Sequence, residues 1–295
     1  MATFYNQATL TYNGITKSSN MTVGEITDVI TAGKNAASDT YAPGDTIVYV
    51  ISMVNTGSTE LTGLTITDDL GEYEYQQTSL IPLTYVDGSL MYYVNGALQT
   101  APEVTSAEPL TVEGISIPAG GSALMIYEAA VNGFASPEPG GTITNTAGIA
   151  AGSGAALAEV TETVSASAAA LLDIGKSVAP QTVAENGSVT YTFIIENTGS
   201  APAGTAENAV ISDVFDPALT GLTVTFNGAA WTAGTQYTYD EASGAFATAA
   251  GQITVPAAQY DRSEQGSYIV TPGISTLTVT GTLVPSQQQP KPIDP

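Results

Sequence analysis

Two stretches of this chain repeat each other position for position, and that repeat limits the fold more than any other feature. GKNAASDTYAPGDTIVYVISMVNTGS, starting at Gly33, matches GKSVAPQTVAENGSVTYTFIIENTGS, starting at Gly175. Lys34 to Tyr49 is 15 positions, as is Lys176 to Tyr191, and Lys34 to Asn55 is 21, as is Lys176 to Asn197. The next strands, LTITDDL and AVISDVF, set Asp68 opposite Asp213, and the turns Asn95-Gly96 and Asn227-Gly228 also correspond. A unit written twice means two modules in tandem, and 295 residues suffice for a core in each. Within the units Thr, Val, Ile and Tyr alternate, as in DTIVYVISMVN and SVTYTFIIEN, between NG, DG and PG turns. A helical pattern is confined to ASAAALL near 166–172, enough for a turn or two. The expectation is an all-β chain of two antiparallel sandwiches, at 26–151 and 171–285. An N-terminal strand and linker (1–25) precede them, a linker (152–170) joins them, and a Pro-rich polar tail (286–295) follows.

The two copies end differently. The first finishes with PAGGSALMIYEAAV and then a last strand, GTITNTAGIA. The second finishes with PGISTLTVTGTLV, aligned so that Leu277 falls on Leu124, Val279 on Ile126 and Val284 on Val131. Only PSQQQPKPIDP follows, and its prolines cannot donate to a ladder. The second module is therefore expected to lack its last strand. A matching strand stands at the other end of the chain: in TFYNQATLTYN, Phe4, Asn6, Ala8 and Leu10 take the places of Ile143, Asn145, Ala147 and Ile149. The connectors behind them are alike, 31 positions from Asn145 to Lys176 and 28 from Asn6 to Lys34.

A sandwich short of its last strand leaves unpaired backbone and an uncovered apolar stripe. A donor strand, Phe4, Asn6, Ala8, Leu10 and Tyr12, inserted into an acceptor groove with Leu277, Val279 and Val284 in the next subunit, satisfies both. Such a contact is heterologous and does not close, so it builds a head-to-tail homopolymer. Two other placements stay open: the strand folds back into its own second module, or it lies as an edge strand on the first.

Composition narrows the chemistry. The chain has neither histidine nor cysteine, which removes the Ser-His-Asp triad, thiol nucleophiles, disulfides and most zinc sites. No cofactor or metal is expected, and enzymatic activity is not. A net charge of −23, with five basic residues, argues against nucleic-acid partners. No apolar run reaches the length of a membrane span, and the start, MATFYNQATLTYNG, has neither a basic nor an apolar region of a secretory signal. The initial Met favours export without such a signal over its earlier removal.

Strand parity points three polar side chains inward in each module. Lys34 is in phase with Ile30 and Ala32, Asp68 with Leu64, Ile66 and Leu70, and Asn145 with Ile143, Ala147 and Ile149. Lys176 is likewise in phase with Ile174 and Val178, Asp213 with Ile211 and Phe215, and Asn6 with Phe4 and Ala8. Buried and unpaired, these groups cost several kcal/mol each.

The Lys, the G-x-x-V-x-Y-x-x-x-x-x-N-T-G pattern, the strand ending in Asp and the last strand ITNTA together resemble the "domain of unknown function eleven" repeats of Gram-positive surface proteins. The matching residues are Lys34, Gly44, Tyr49, Asn55, Thr56, Gly57, Asp68 and Ile143 to Ala147, then Lys176, Gly187, Tyr191, Asn197, Thr198, Gly199 and Asp213. The resemblance covers about residues 26–285 and implies immunoglobulin-like sandwiches used as structural or adhesive modules. The Lys, Asp and Asn placement resembles the self-forming isopeptide triads of Gram-positive pilus and collagen-adhesin repeats. That likeness implies candidate autocatalytic crosslinks Lys34–Asp68–Asn145 within the first module and Lys176–Asp213 with Asn6 of a neighbour. A buried Lys–Asp ion pair with the Asn as a hydrogen-bond partner is the alternative. Some clostridial spore appendages contain proteins resembling this family, which implies an extracellular or endospore-surface filament subunit with an unknown surface anchor.

Weaker signals remain. Asp68-Asp69 and Asp240-Glu241 could hold Ca²⁺ but lack EF-hand spacing. Asn20 and Asn186 begin glycosylation sequons, and Trp231 reads as sandwich packing. A non-polymerising stalk or adhesion module is the competing function, with Tyr73, Tyr75, Tyr92 and Tyr93 as its candidate aromatic patch.

Overall fold

Alternating β-branched residues make strands almost throughout. In the computed structural model, which describes residues 2–26, 29–184 and 186–283, the helical content among these is one 3-10 turn, Thr205–Glu207. The helical expectation at 166–172 fails because the backbone there is used sideways. Leu171 N–H donates to Asn197 Oδ1, Leu171 C=O accepts from Thr198 N–H, and Ala169 C=O accepts from Ala201 N–H. By internal contacts the chain divides into two units, 1–135 with 142–165, and 136–141 with 166–295.

The N-terminal residues form a ribbon: β1 (Ala2–Asn6), β2 (Thr9–Tyr12), β3 (Ile15–Ser18) and β4 (Thr22–Ile26). β1 pairs with β4 and β2 with β3, all antiparallel. Asn13 and Gly14, at φ 45° and 77°, make the tight turn, a left-handed pair that Asn-Gly adopts readily. Ser19 closes the gap between the two ladders, donating N–H to Ala8 O at 2.8 Å and accepting from Ala8 N at 3.0 Å through Oγ. Residues 1–25 were expected to be a strand followed by an extended linker. The linker is instead the return strand of a hairpin.

The first module comprises β5 (Ile30–Ala36), β6 (Thr40–Tyr41), β7 (Thr46–Asn55), β8 (Leu61–Asp68), β9 (Tyr73–Tyr75), β10 (Thr78–Leu80), β11 (Leu83–Tyr85), β12 (Met91–Val94), β13 (Ala97–Gln99), β14 (Glu103–Ala107), β15 (Leu110–Ile117), β16 (Ser122–Val131), β17 (Thr142–Ala150) and β18 (Ala156–Ala166). One sheet runs β13-β12-β16-β7-β5, with β11 also on β16, and the other β14-β15-β8-β17-β18-β6. Tyr49, Ile51, Met125 and Tyr127 from the first, and Leu64, Ile66, Val112 and Ile149 from the second, are almost wholly buried. The stretch 152–170, expected as a linker, contributes β18, which pairs along the length of β17.

The second module comprises β19 (Leu172–Ala179), β20 (Ser188–Asn197), β21 (Ser212–Val214), β22 (Leu219–Phe226), β23 (Ala229–Trp231), β24 (Tyr237–Asp240), β25 (Ala245–Thr248), β26 (Gln259–Arg262), β27 (Tyr268–Thr271) and β28 (Gly273–Leu283). Its larger sheet is β19-β20-β28-β22-β23; the other holds β21-β25-β24, and β26 pairs with β27. Tyr49 pairs with Tyr127 and Tyr191 with Val279, so Val279 corresponds to Tyr127 and Leu277 to Met125. The sequence alignment of these strands was one residue out of register, a slip that exchanges the two faces of a strand. Leu277 and Val279 are fully buried on β28, between β20 and β22. They belong to the module's core rather than to an open groove. Val284 and the 286–295 tail lie outside the described residues.

The repeated Asn-Thr-Gly ties each module together. Asn55 is fully buried; its amide donates to Thr59 O, Ile117 O and Pro118 O, and its Oδ1 accepts from Gly57 N. Asn197 does the same with Ala201 O, Pro256 O, Gly199 N and Leu171 N. Each amide thus ties together backbone groups at the strand ends and turns of its module. Replacing either with Ala strands several of them at about 1–3 kcal/mol apiece. Asn55→Ala and Asn197→Ala are each expected to destabilise their module by roughly 3 kcal/mol or more, read as a fall in urea midpoint at unchanged slope.

Candidate functional site

In the first module, Asp68 ends β8, where β8 lies between β15 and β17, paired with Leu110 on one side and Ala147 on the other. Lys34 reaches it from β5, the edge of the opposite sheet. Lys34 Nζ donates to Asp68 Oδ2 at 2.7 Å, and both side chains have no exposed surface. Tyr127 Oη also donates to Oδ2, Asp68 Oδ1 accepts from Leu70 N at 3.0 Å, and Asn145 Nδ2 donates to Tyr127 Oη at 3.2 Å. Lys34, Asp68 and Asn145 therefore meet in one buried cluster, with Tyr127 bridging the carboxylate and the amide. Tyr49 stacks on Tyr127 with centroids 5.6 Å apart, and Lys34 Nζ lies 5.1 Å above the Tyr49 ring. Two buried atoms of the cluster, Tyr49 Oη and Asn145 Oδ1, have no hydrogen-bond partner.

The electrostatics follow from burial. Desolvation pulls the Lys34 amine below its ordinary value, and the attraction of Asp68 opposes this without cancelling it. Burial likewise pushes the phenols of Tyr127 and Tyr49 upward. Asp69, beside Asp68, accepts from Thr146 N and Gly71 N through Oδ1 and fastens β17 to the end of β8. Its carboxyl is raised by burial, which those two N–H donors partly offset. The cluster thus brings together an amine whose basicity burial lowers, a carboxylate and a primary amide.

The second module repeats half of this arrangement. Lys176 Nζ donates to Asp213 Oδ2, with the rings of Tyr191, Phe193 and Phe215 at 4.7, 5.4 and 5.4 Å from the ammonium. Here, however, the side chains are 40% and 18% exposed. Val279 stands where the first module has Tyr127, and Val214, exposed, stands where it has Asp69. Among the described residues, no strand lies on the outer edge of β21, the place that β17 takes beside β8. The uncovered flank holds an apolar groove of about 200 Å³, lined by Leu172, Ile174, Ile195, Val210, Ile211 and Ile253. Leu172 is 41% exposed, whereas Ile30, at the equivalent place in the first module, is 6% exposed.

Asn6, paired with Thr22 across β1 and β4, is exposed, as are Ala8, Leu10 and Tyr12 on the same strand run. Phe4 is placed in β1; its side chain lies outside the described residues. Of the four tyrosines weighed as an adhesive patch, Tyr92 is buried with its hydroxyl on Ser116 O, and Tyr73, Tyr75 and Tyr93 are half-buried. Trp231 stacks on Phe226 at 5.0 Å, and Asp240 caps a turn by accepting from Ser243 Oγ and Ala242 N. Sequence reasoning missed Tyr127, and it named Tyr49 only as a repeat position and Asp69 only as a weak calcium candidate. The alternation of ALMIYEAAV already placed Tyr127 on the inward face.

No protein-family model matches the chain, and no curated protein matches it. Among solved structures, it is similar to BcpA, the major pilin subunit of Bacillus cereus, at 13% identity over 84% of this chain and 66% of that one, with a TM-score of 0.34. It is similar to the pilus backbone RrgB of Streptococcus pneumoniae at 12% identity, covering 82% of this chain and 55% of that one, with a TM-score of 0.32. A collagen-binding domain from a Staphylococcus aureus adhesin matches at 14% identity, covering 45% of this chain and 96% of that one, with a TM-score of 0.30.

Removing the acid should affect the two modules unequally. Asp68→Ala leaves a lysine buried without its counter-charge, expected to cost about 3–5 kcal/mol. Asp213→Ala breaks a part-exposed pair and should cost about 1 kcal/mol or less. Differential scanning calorimetry of the two variants checks the contrast; equal losses would mean that the second pair is as enclosed as the first.

Proposed function

We propose that the chain is a structural subunit of a bacterial surface filament that grows head to tail, the N-terminal segment of one copy completing the second module of the next. One observation carries this reading: the second module keeps a Lys–Asp pair beside an uncovered strand edge and apolar groove, and the same chain displays an exposed strand with Asn6 in its sequence phase. Three or four apolar side chains at ~1.5–3 kcal/mol each, with a ladder of backbone bonds, support a long-lived joint. The repeat family that the sequence resembles supports a surface location, and its likeness to spore-appendage proteins extends the proposal to the endospore surface. A stalk or adhesion role without polymerisation loses its aromatic patch, since none of the four tyrosines is fully exposed.

The first-module cluster supports a covalent step. Neutral Lys34 Nζ attacks the Asn145 side-chain carbonyl; the new C–N bond forms as Nδ2 departs as ammonia, Asp68 carrying the proton from amine to leaving group. Asn145 Oδ1, the atom on which charge develops during that attack, has no hydrogen-bond partner of its own. Lys176 and Asp213 would act in the same way on Asn6 of the neighbour.

Negative-stain microscopy of the full chain beside a variant lacking residues 1–13 tests assembly: fibres are expected from the first and none from the second, and compact particles from both would refute it. Intact mass tests the bond separately. The first module is expected one ammonia lighter than its sequence, and Lys34→Ala should restore the full mass.

A further inference from the structure

We infer that the inserting unit is the whole N-terminal hairpin of a second copy, both of its strands entering as one body, in a register set by the first module. The inference rests on the filament reading above and adds what is inserted and where. In the first module the edge of β8 is covered by a two-stranded hairpin, β17 pairing with β8 on one side and with β18 on the other. Among the described residues the second module has a counterpart of neither. β1 to β4 match that hairpin in construction. Asn145 pairs with Glu162 and β18 ends at Ala166, four residues on; Asn6 pairs with Thr22 and β4 ends at Ile26, again four residues on. The bulge at Asn20 and Met21 falls in the return strand, so the leading strand keeps one alternation from β1 into β2.

The two hairpins differ mainly in what covers them. Ile149 is 1% exposed beneath the first module's other sheet, and Leu10, at the equivalent place, is 64% exposed. Tyr12 and Ile15, paired at the tip and on the same side as Leu10, are 50% and 49% exposed. An apolar side of a ribbon and an apolar groove, both uncovered in one molecule, fit each other in a second copy. Register follows from matching Asn6 to Asn145 and Asp213 to Asp68. The first-module pairs Ala147–Asp68, Gly148–Thr67, Ile149–Ile66 and Ala150–Thr65 become Ala8 on Asp213, Thr9 on Ser212, Leu10 on Ile211 and Thr11 on Val210. Leu10 then enters the groove at Ile211, while Thr9, Thr11 and Ser212 face solvent.

The absence of native cysteine makes the register directly testable. Full-length Thr9→Cys/Ser212→Cys, mildly oxidised, is expected to run on a non-reducing gel as a ladder with a 30.0 kDa step, and Thr9→Cys/Val210→Cys, two residues off register, should give far less. Crosslinked monomer alone would overturn the inference in favour of insertion into the same chain, and equal ladders from both pairs would overturn the register. A second variant tests the hairpin. Thr11 and Thr16 face each other across it with hydroxyls 3.0 Å apart, so Thr11→Cys/Thr16→Cys staples the strands on the solvent side. Stapled protein is expected to polymerise as well as its reduced form. Polymerisation lost on oxidation and regained on reduction would show that the strands must separate, which overturns the hairpin and leaves the filament reading intact. A chain that does not polymerise in any form removes both.

Discussion

The backbone edge of one strand governs this molecule. β8 has neighbours on both sides, and because β17 lies against it the Lys34–Asp68 pair is enclosed, Asn145 is delivered to the cluster, and Ile66 and Ile149 close the core. β21 is built from the same pattern with a neighbour, among the described residues, on one side. Its Lys176–Asp213 pair is part-exposed and an apolar groove stays open beside it. An unpaired strand edge with an apolar face is a strong template for a further strand. The two modules therefore compare one motif with and without its cover.

That cover changes the chemistry as well as the packing. Enclosed, the lysine loses solvation faster than the carboxylate can compensate, so its amine is biased toward the neutral form. Tyr127 joins acid and amide into one network, and Asp69 anchors the strand that carries the amide. The second module has Val279 and Val214 at those two places, so its own residues neither bridge the carboxylate to an amide nor hold a strand beside it by a side chain. What the first site secures with Asp69 and Tyr127, the second would have to secure by strand pairing and apolar contact alone.

Much of this was legible in the chain. The repeat and the strand alternation predicted two all-β modules, and phase predicted the inward Lys34, Asp68 and Asn145, because strand parity is a local property with a period of two. The turn at Asn13-Gly14, flanked by alternating TLTY and ITKS, was as clear a hairpin signal as those at Asn95-Gly96 and Asn227-Gly228. That Thr22–Ile26 returns along β1 is a matter of pairing between residues 16 to 24 positions apart, which the likeness of Thr3–Asn13 to the ITNTA strand does not carry. The same holds for β18: the alternation in ALAEVTETVSA is local, but its place along the outer side of β17 is set by pairing.

By itself, the sequence determined which residues alternate and where tight turns fall, since these depend on neighbours a few positions away. Tertiary structure alone decided the register between β20 and β28, which puts Val279 rather than Thr280 at the place of Tyr127 and makes Leu277 core rather than groove. It alone decided how far each Lys–Asp pair is enclosed. Register and enclosure depend on which strands lie side by side, and a shift of one residue or the presence of one hairpin changes both while leaving every local pattern as it was.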